Sequence, residues 1–447
     1  MKTKIKMREK LAYGIGDLGC NFVWTPIGMF LTLYYTDSVG IAAGVVGTIM
    51  LLTRLLDGVT DLIFGNILDR THTKMGKARP WILRSTPMMV FGLLLLFNVP
   101  SGLGDSGKVV YAVITYVFIA AVAYTISNLS YNALLSLMTD DQQERASMSS
   151  IRFLMVTIVA ILIASITMPL VHAIGWTGVS ILFAALSAVC FMITIFGTKE
   201  RVSEQKKETE EEKLPTLEAF RYLLKNKYFL PIMLLFIFTY IKGNISSGIN
   251  IYFVRNVLGN ENLMAPLSLA GTIPLLVAYP LFPLFVRKFG KWKCMLVGIL
   301  VSMVSSIVIL FNPHSIPVIL VGGIFNAVAT IPMNAGLFAL VGDGVDYGEW
   351  KTGVRQDGMF NSVVSFGMKV GTGIGSALVG WGLAWGHYNA AAATQSAETL
   401  RAITLIGYGL PVVCLVLSLI CLWFCNIDKI YPQMAKDLAE RRAKAEA

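Results

Sequence analysis

Long apolar stretches recur along the whole chain and are separated by short polar segments. Each stretch is long enough to cross the hydrocarbon core of a bilayer as a helix, which takes about 20 residues. The pattern therefore predicts an all-α membrane protein with twelve transmembrane helices. The predicted spans lie near residues 11–36, 41–69, 80–98, 108–139, 150–172, 177–197, 229–256, 264–286, 294–311, 315–341, 358–384 and 401–425.

The composition supports this prediction. Of the 447 residues, 55% are hydrophobic and only 14% are charged, whereas soluble domains carry roughly 25% charged residues. The mean hydropathy of +0.65 is also typical of a membrane protein. The six cysteines lie in or beside apolar stretches, with no spacing typical of zinc sites or disulfide frameworks. We therefore expect no bound metal apart from a coupling Na⁺, and no cofactor.

The 37 Lys and Arg residues are distributed unevenly among the predicted loops. Lys108, Arg255 and Arg401 fall in loops on one side of the membrane, whereas nearly all the others lie on the side of the N-terminus. Because cytoplasmic loops are enriched in Lys and Arg, we predict a multi-pass protein of the plasma (inner) membrane with both termini cytoplasmic. This topology accounts for the net charge of +10, so the basic composition does not indicate nucleic-acid binding.

The longest charged stretch, at residues 197–229, divides the spans into two sets of six. We predict an N-terminal six-helix half at 1–197, a cytoplasmic linker at 198–228, a C-terminal six-helix half at 229–426 and a cytoplasmic tail at 427–447. The loop between spans two and three reads GNILDRTHTKMGKARPW, and the loop between spans eight and nine reads PLFVRKFGKWK. Both loops resemble the loop signature of the major facilitator superfamily, more clearly in the first half. The resemblance implies a duplicated transporter fold.

The second span carries charged residues within an otherwise apolar run, in the stretch RLLDGVTDLIFGNILDR. An Asp or Arg at the centre of a membrane helix costs about 2.5 to 3.5 kcal/mol. At about 100° per residue, Arg54, Asp57 and Asp61 share one helical face. Two carboxylates one turn apart suit a monovalent cation, because their oxygens can bind Na⁺ or hold a proton. The alternative is an Asp–Arg pair that only fixes helix packing, although Arg54 neutralises only one of the two acids.

Four other spans carry polar stripes at helical spacing. Each stripe alone is also explained by hydrogen bonds that only hold neighbouring helices together. Together, however, the stripes predict a polar cavity. Amide, hydroxyl and aromatic groups match a polyhydroxylated solute such as a sugar. The stripes are Asp17, Asn21 and Trp24 in span one; Tyr124, Asn128, Tyr131 and Asn132 in span four; Thr239, Lys242, Ser246 and Asn250 in span seven; and Ser362, Ser365, Lys369 and Ser376 in span eleven.

Several of these stretches together resemble one transporter family. They include KLAYGIGDLGCNF, RLLDGVTDLIFGNILDRT, YTISNLSYNALLSLMT followed by ERASMSSIRF, and GDGVDYGEWKTGVRQDGMFNSVVSFGMKVGTGIG. They are similar to the glycoside-pentoside-hexuronide cation symporters over nearly the whole chain. The Asp-x-x-x-Asp pattern of span two, with the loop that follows it, is the most specific element of the resemblance.

The resemblance implies roles for individual residues. Asp57 and Asp61 correspond to the family's cation-site carboxylates, and Thr125 to a hydroxyl beside them; we assign Asp17 to the cation site as well. Lys369 corresponds to a lysine that links the cation and sugar sites, and Arg152 to an arginine near the sugar. The predicted substrate-binding residues are Asn21, Trp24, Tyr124, Asn128, Tyr131, Arg152, Lys369 and Lys242.

The sequence departs from the family's melibiose carrier at two sugar-site acids, where this chain has Asn21 and Asn128. Neutral amides there remove repulsion against an acidic ligand and leave Arg152, Lys369 and Lys242 less neutralised. A uronide or another acidic sugar is therefore the first candidate substrate, and a neutral glycoside ranks close behind it. For Lys242, pairing with an interior acid is an equal alternative.

These observations predict a secondary active symporter that couples H⁺ or Na⁺ to a sugar, glycoside or uronide by alternating access, with membrane lipid as its surroundings. It is not expected to be an enzyme, because no nucleophile motif or metal-ligand spacing is present in the sequence. One alternative is a sodium-coupled lysolipid-type carrier of the same superfamily. The other is a protein of a different class, either a channel or a membrane-embedded enzyme.

Overall fold

A computed structural model describes residues 5–139, 141–201, 223, 225–353, 357–392 and 394–446. Over these residues the chain is helical, and the one β-bridge in the described ranges joins Thr73 to Gly76 in a turn. The predicted all-α fold is therefore confirmed.

Six helices follow one another in the first part of the chain. Five of them begin and end close to the predicted spans, and α5 begins earlier. A single helical element, Gln142–Gly197, holds two of them and bends at Gly175, whose φ of 69° and ψ of 172° are not helical. The six helices are α1 Met7–Leu33, α2 Ala43–Asp69, α3 Arg79–Leu96, α4 Asp105–Met138, α5 142–174 and α6 176–197.

Six further helices and a terminal one follow in the second part. Five of the first six match the predicted spans, α10 continues beyond its span, and the last helix occupies the predicted tail. They are α7 Phe229–Tyr252, α8 Met264–Phe289, α9 Lys291–Phe311, α10 Ile316–Thr352, α11 Asp357–Trp385, α12 Ala397–Phe424 and α13 Tyr431–Glu446. The twelve helices before α13 are thus consistent with twelve membrane spans.

Two helices extend beyond the apolar pattern that predicted them. Helix α10 continues through the polar run after residue 341 and ends at Gly353, whose φ of 74° is left-handed. Helix α5 begins at Gln142, because the side chain of Asp141 accepts a hydrogen bond from the backbone N–H of Gln143 and caps its first turn. Hydropathy detects only the part of a helix that lies in hydrocarbon, so it does not predict polar extensions of this kind.

Helix α4 contains a π-helical segment, Phe118–Tyr124, in the middle of its length. Such segments insert one wider turn and are frequent at functional sites. Thr125, one of the predicted cation-site residues, is the first residue after it.

The described residues divide into two compact units. Those of unit 1 fall within Met1–Lys207, Ser247–Leu269 and Ser376–Ile403, and those of unit 2 within Glu208–Ser246, Ala270–Gly375 and Thr404–Ala447. The division at residues 197 and 229 that the sequence predicts stays a prediction. Most of the predicted linker 198–228 lies outside the described residues.

The tail helix α13 belongs to the core of unit 2. Its residues Met434 and Leu438 are buried in one apolar cluster with residues of α7, α9, α10, α11 and α12. The predicted tail is therefore a packed helix in its described part.

Each unit contains the same carboxylate cap at a glycine turn. In unit 1, Glu200 follows α6 and accepts hydrogen bonds from the backbone N–H groups of Lys77, Ala78 and Arg79 at 2.6, 3.0 and 2.9 Å. These N–H groups form the N-terminus of α3, where a negative charge is stabilising.

In unit 2, Asp428 follows α12 and accepts from the backbone N–H of Trp292 at 3.0 Å, at the N-terminus of α9. The preceding turn in each unit needs a glycine, since Gly76 has a φ of 109° and Gly290 a φ of 81°. The two basic loops recognised in the sequence thus have the same structural role, and this supports an internal duplication.

Unit 1 also holds a cluster around Asp37, just after α1. Its carboxylate lies 2.6 Å from Arg255 and accepts from the hydroxyl of Tyr388 at 2.9 Å. Burial and the neighbouring Asp37 raise the pKa of Tyr388, so the phenol stays protonated and acts as the donor. Arg255 also pairs with Glu261 at 3.1 Å. The cluster ties the end of α1 to the segments that follow α7 and α11.

Helices α2 and α11 make a close backbone contact within unit 1. A Cβ at Gly380 would lie 2.5 Å from the carbonyl oxygen of Ala43 and 2.7 Å from the backbone of Gly47. A Cβ at Gly47 would lie 2.7 Å from the carbonyl oxygen of Ala377. Small residues of this kind allow membrane helices to pack closely, and the close approach is stabilised by dispersion attraction between their atoms.

This contact predicts the effect of adding one methyl group. Gly380→Ala should destabilise the protein by about 1–3 kcal/mol, because the added carbon must push two backbones apart. The matched control is Gly323→Ala in α10, where a Cβ would meet nothing within 4 Å. We expect a lower melting temperature in detergent for the first variant and an unchanged or higher one for the second. Equal melting temperatures would contradict the close contact.

Candidate cation and sugar site

The predicted site residues of the first half lie on α1, α2, α4 and α5, all in unit 1. Some of them, together with neighbouring residues that were not predicted, form two groups. The Asp57 cluster consists of Arg54, Asp57, Thr60 and Thr125, and the Asp17 cluster consists of Asp17, Asn128, Asn132 and Arg152.

The Asp57 cluster is a set of oxygen ligands between α2 and α4. Asp57 is only 5% exposed, and its Oδ1 accepts a hydrogen bond from the Thr125 hydroxyl at 2.8 Å. The Thr60 hydroxyl lies 3.5 Å from that of Thr125. Asp61 is half-buried one turn further along α2. Carboxylate and hydroxyl oxygens are hard ligands that suit Na⁺, and a carboxylate is also suited to a proton.

Arg54 lies beside this carboxylate on the same helix. Its Nη1 is 3.6 Å from Asp57 Oδ2, within ion-pair range but longer than a hydrogen bond. Its guanidinium carbon is 3.9 Å from the centre of the Trp24 ring, a close cation–π contact. Sequence reasoning placed Arg54 on the face of Asp57 but did not assign it to the site. The contact with Trp24 of α1 had no sequence signal.

Trp24 connects the two clusters. Its ring stacks on that of Tyr124 with centroids 4.2 Å apart. The hydroxyl of Tyr124 accepts from the Nδ2 of Asn128 at 3.3 Å, and Asn132 donates to Asn128 at 2.9 Å. A continuous series of contacts therefore leads from α2 through α1 to the polar face of α4.

The Asp17 cluster ends in a tight ion pair. Arg152 Nε donates to Asp17 Oδ2 at 2.6 Å, and Arg152 Nη1 donates to Asn132 Oδ1 at 2.7 Å. Asp17 is 4% exposed, whereas the Arg152 side chain is 28% exposed. The sequence assigned Asp17 to the cation and Arg152 to the sugar, and the structure brings the two together. Each charge neutralises the other, and the Arg152 guanidinium also donates to the amide oxygen of Asn132.

Two of the predicted substrate residues are engaged in helix packing. Tyr131 is fully buried, stacks on Tyr13 with centroids 4.7 Å apart and donates to the backbone oxygen of Tyr13 at 2.8 Å. Asn21 is half-buried, donates to the backbone oxygen of Asp17 at 2.8 Å and accepts from Thr25 at 3.2 Å. Their predicted roles in sugar binding stay predictions.

The two predicted lysines lie in unit 2. Lys242 is 9% exposed and donates to Ser302 at 2.7 Å and to Asn326 at 3.0 Å. Within the described ranges its hydrogen-bond partners are thus a hydroxyl and an amide, and no ion pair with an acid is seen there. Lys369 is half-buried on α11. Lys369 lies in unit 2 and the predicted cation site in unit 1, and the predicted link between them stays a prediction.

Three comparisons bear on this arrangement. The chain is 32% identical to an isoprimeverose transporter of Lactiplantibacillus pentosus, over all of this chain and 94% of the relative. It is 29% identical to a putative glycoside/cation symporter of Escherichia coli, over all of this chain and 98% of the relative. The fold is similar to that of a nucleoside transporter crystal structure, with a TM-score of 0.65 at 16% identity over 92% of this chain and 99% of the other.

The family comparison completes the assignment. Residues 12–429 match the family described as MFS/sugar transport protein. This match confirms the resemblance seen in the sequence and the major facilitator fold, and the apolar helices make the protein a multi-pass membrane protein. The chain belongs to the MFS/sugar transport protein family.

Proposed function

We propose that this protein is a symporter of the inner membrane that couples Na⁺ or H⁺ to the uptake of a neutral glycoside. Both termini are cytoplasmic in this proposal, and the protein carries out no chemical reaction on its substrate. The observation that carries it is the series of contacts that joins the buried Asp57 to the Asp17–Arg152 pair. In this proposal Asp57 binds the ion, and the amide and aromatic groups that bind the sugar are joined to it through Arg54, Trp24 and Tyr124.

The cation half of the proposal is supported by the ligands around Asp57. Its neighbours Thr125 and Thr60 offer hydroxyl oxygens, and Asp61 adds a second carboxylate one turn away. A relative of similar length is named a putative glycoside/cation symporter. A cation at Asp57 would offset the cost of burying the carboxylate when the carrier changes conformation. Only the empty or the doubly loaded carrier would then switch readily.

The choice of a neutral glycoside follows from the pairing of Arg152. At 2.6 Å from Asp17, the guanidinium is neutralised by a buried carboxylate, and it offers an acidic sugar little net attraction. The amides of Asn128 and Asn132 supply both donors and acceptors for hydroxyl groups. A relative at 32% identity is named an isoprimeverose transporter. A uronide therefore ranks behind a neutral glycoside.

The direct test is counterflow in proteoliposomes with a panel of radiolabelled neutral glycosides, isoprimeverose among them, and uronates. Each sugar is measured with Na⁺, with a proton gradient and with neither. We expect exchange of a neutral glycoside and cation-dependent accumulation. Exchange of uronates alone would overturn the substrate class, and the absence of any sugar exchange would overturn the proposed function.

Asp57→Asn should abolish accumulation against a gradient while exchange down a gradient persists. The amide no longer binds a cation or a proton, but the sugar groups stay in place. The matched control is Asp105→Asn, which removes an exposed carboxylate at the start of α4. Full uphill transport by the Asp57 variant would contradict the cation assignment.

Asp17→Asn should shift the selectivity toward acidic sugars. Without the Asp17 carboxylate, the Arg152 guanidinium keeps its contact with Asn132 but has lost its negatively charged partner. The carboxylate of a uronate can then form an ion pair with Arg152. The measurement is the ratio of uronate to neutral glycoside affinity, which we expect to rise about tenfold or more, a change of about 1.4 kcal/mol. Glu9→Gln is the control, because it breaks another Arg–carboxylate pair, with Arg201 at 2.7 Å. An unchanged ratio would remove the pair from the substrate site.

A further inference from the structure

We propose that Arg54 is the positioning residue that couples the two ligands, by covering the Trp24 ring when Asp57 has no cation and uncovering it when a cation binds. The inference rests on the proposed function and specifies how the two sites communicate. Arg54 is 6% exposed and contacts both groups, with Nη1 3.6 Å from Asp57 and the guanidinium carbon 3.9 Å from the Trp24 ring centre.

Both faces of the Trp24 ring are occupied in this structure. The Tyr124 ring lies 4.2 Å away, stacked at 28°, and the Arg54 guanidinium lies 3.9 Å away. Two planar groups this close to one ring centre do not fit on the same face, so they cover opposite faces. A sugar ring therefore has no open face of Trp24 on which to stack while Arg54 remains there.

The contacts of Arg54 with Asp57 and Trp24 are loose enough to break. The separation of 3.6 Å from Asp57 is longer than a charge-assisted hydrogen bond, which is about 2.7–2.9 Å. Among the described residues, Arg54 Nε has no hydrogen-bond partner, although it is buried. By contrast, Arg152 holds its carboxylate at 2.6 Å and an amide at 2.7 Å. Asp57 thus holds Arg54 less closely than Asp17 holds the half-buried Arg152, and the Arg54 guanidinium also has a hydrogen bond with the buried Tyr116 hydroxyl, which does not involve Asp57 or Trp24.

A cation at Asp57 changes the electrostatic balance at Arg54. The carboxylate charge that attracts the guanidinium is neutralised, and a bound Na⁺ adds direct repulsion at short range. Arg54 then moves away from Asp57 and from Trp24, and the uncovered indole face can stack on the C–H face of a sugar. The sugar in turn prevents Arg54 from returning, which favours the cation at Asp57. The coupling is reciprocal, as linkage requires.

The test is a coupling ratio, defined as the sugar dissociation constant without the coupling cation divided by that at saturating cation. The probes are Na⁺, H⁺ and the neutral glycoside of the panel above that exchanges fastest, in equilibrium binding to the purified full-length protein. We expect a ratio of at least about 5 for the unmodified protein, the lower end of typical coupling. Arg54→Gln should bring the ratio to about one, with tight sugar binding in both conditions because Trp24 stays uncovered.

Three further variants separate coupling from packing. Arg54→Lys keeps a charge that reaches both groups and should retain a ratio above one. Trp24→Leu removes the stacking face, so the sugar affinity at saturating cation should fall to the cation-free value. Arg84→Gln is the matched control, because Arg84 also lies over a tryptophan, 4.9 Å from the ring of Trp81, but is exposed on α3. Its ratio should equal that of the unmodified protein.

The outcomes separate this inference from the proposed function. If the unmodified protein binds no sugar, or binds it equally with and without cation, the proposed symport fails. If the unmodified protein shows coupling and Arg54→Gln retains it, the proposed role of Arg54 is wrong, whereas the proposed symport is not contradicted. If Arg54→Gln does not fold, Trp24→Leu decides, because unchanged cation dependence of sugar affinity in that variant also overturns the inference.

Discussion

The structure of unit 1 depends on the compensation of buried charge. A carboxylate removed from water costs several kcal/mol unless a cation lies beside it, and Asp17 and Asp57 are both more than nine-tenths buried. Each is faced by a guanidinium, Asp17 by Arg152 of another helix and Asp57 by Arg54 of its own. The first pair fixes α1 against α5. The second lies within one helix, and its contacts with other helices include the hydrogen bond from Thr125 of α4 to Asp57 and the stacking of Arg54 on Trp24 of α1.

This difference separates two tasks that a coupled carrier has to perform. The 2.6 Å pair of Asp17 and Arg152 is rigid and electrically neutral, so it can present a defined set of polar groups to an uncharged sugar. The 3.6 Å contact of Asp57 and Arg54 is weaker, so an inorganic cation can compete for the acid. The Trp24–Tyr124 stack lies between the two, in contact with Arg54 on one side and Asn128 on the other.

The sequence predicted the helices and one of the key contacts, because both depend on local pattern. Apolar length predicted the twelve spans, and the spacing of Arg54 and Asp57 placed them on one face. The resemblance brought Thr125 to Asp57, which the structure shows at 2.8 Å. The pairing of Asp17 with Arg152 was not predicted, because it joins residues 135 positions apart. Tyr131 was assigned to the polar face of α4, but it lies about 60° around the helix from Asn128, and that is enough to turn it against Tyr13.

Each unit has a carboxylate cap that joins the ends of two of its helices. Glu200 and Asp428 each bind the N-terminus of the third helix in their part of the chain, directly after the sixth helix, and a left-handed glycine precedes each of these helices. A carboxylate that holds the ends of two helices together lets them move as a body rather than slide past one another. The cap of unit 1 joins α3 to α6, whereas Arg54 and Trp24 lie on α2 and α1. The proposed coupling therefore needs no movement of the capped helices, because the guanidinium of Arg54 alone makes the contacts with Asp57 and Trp24 that the proposal breaks.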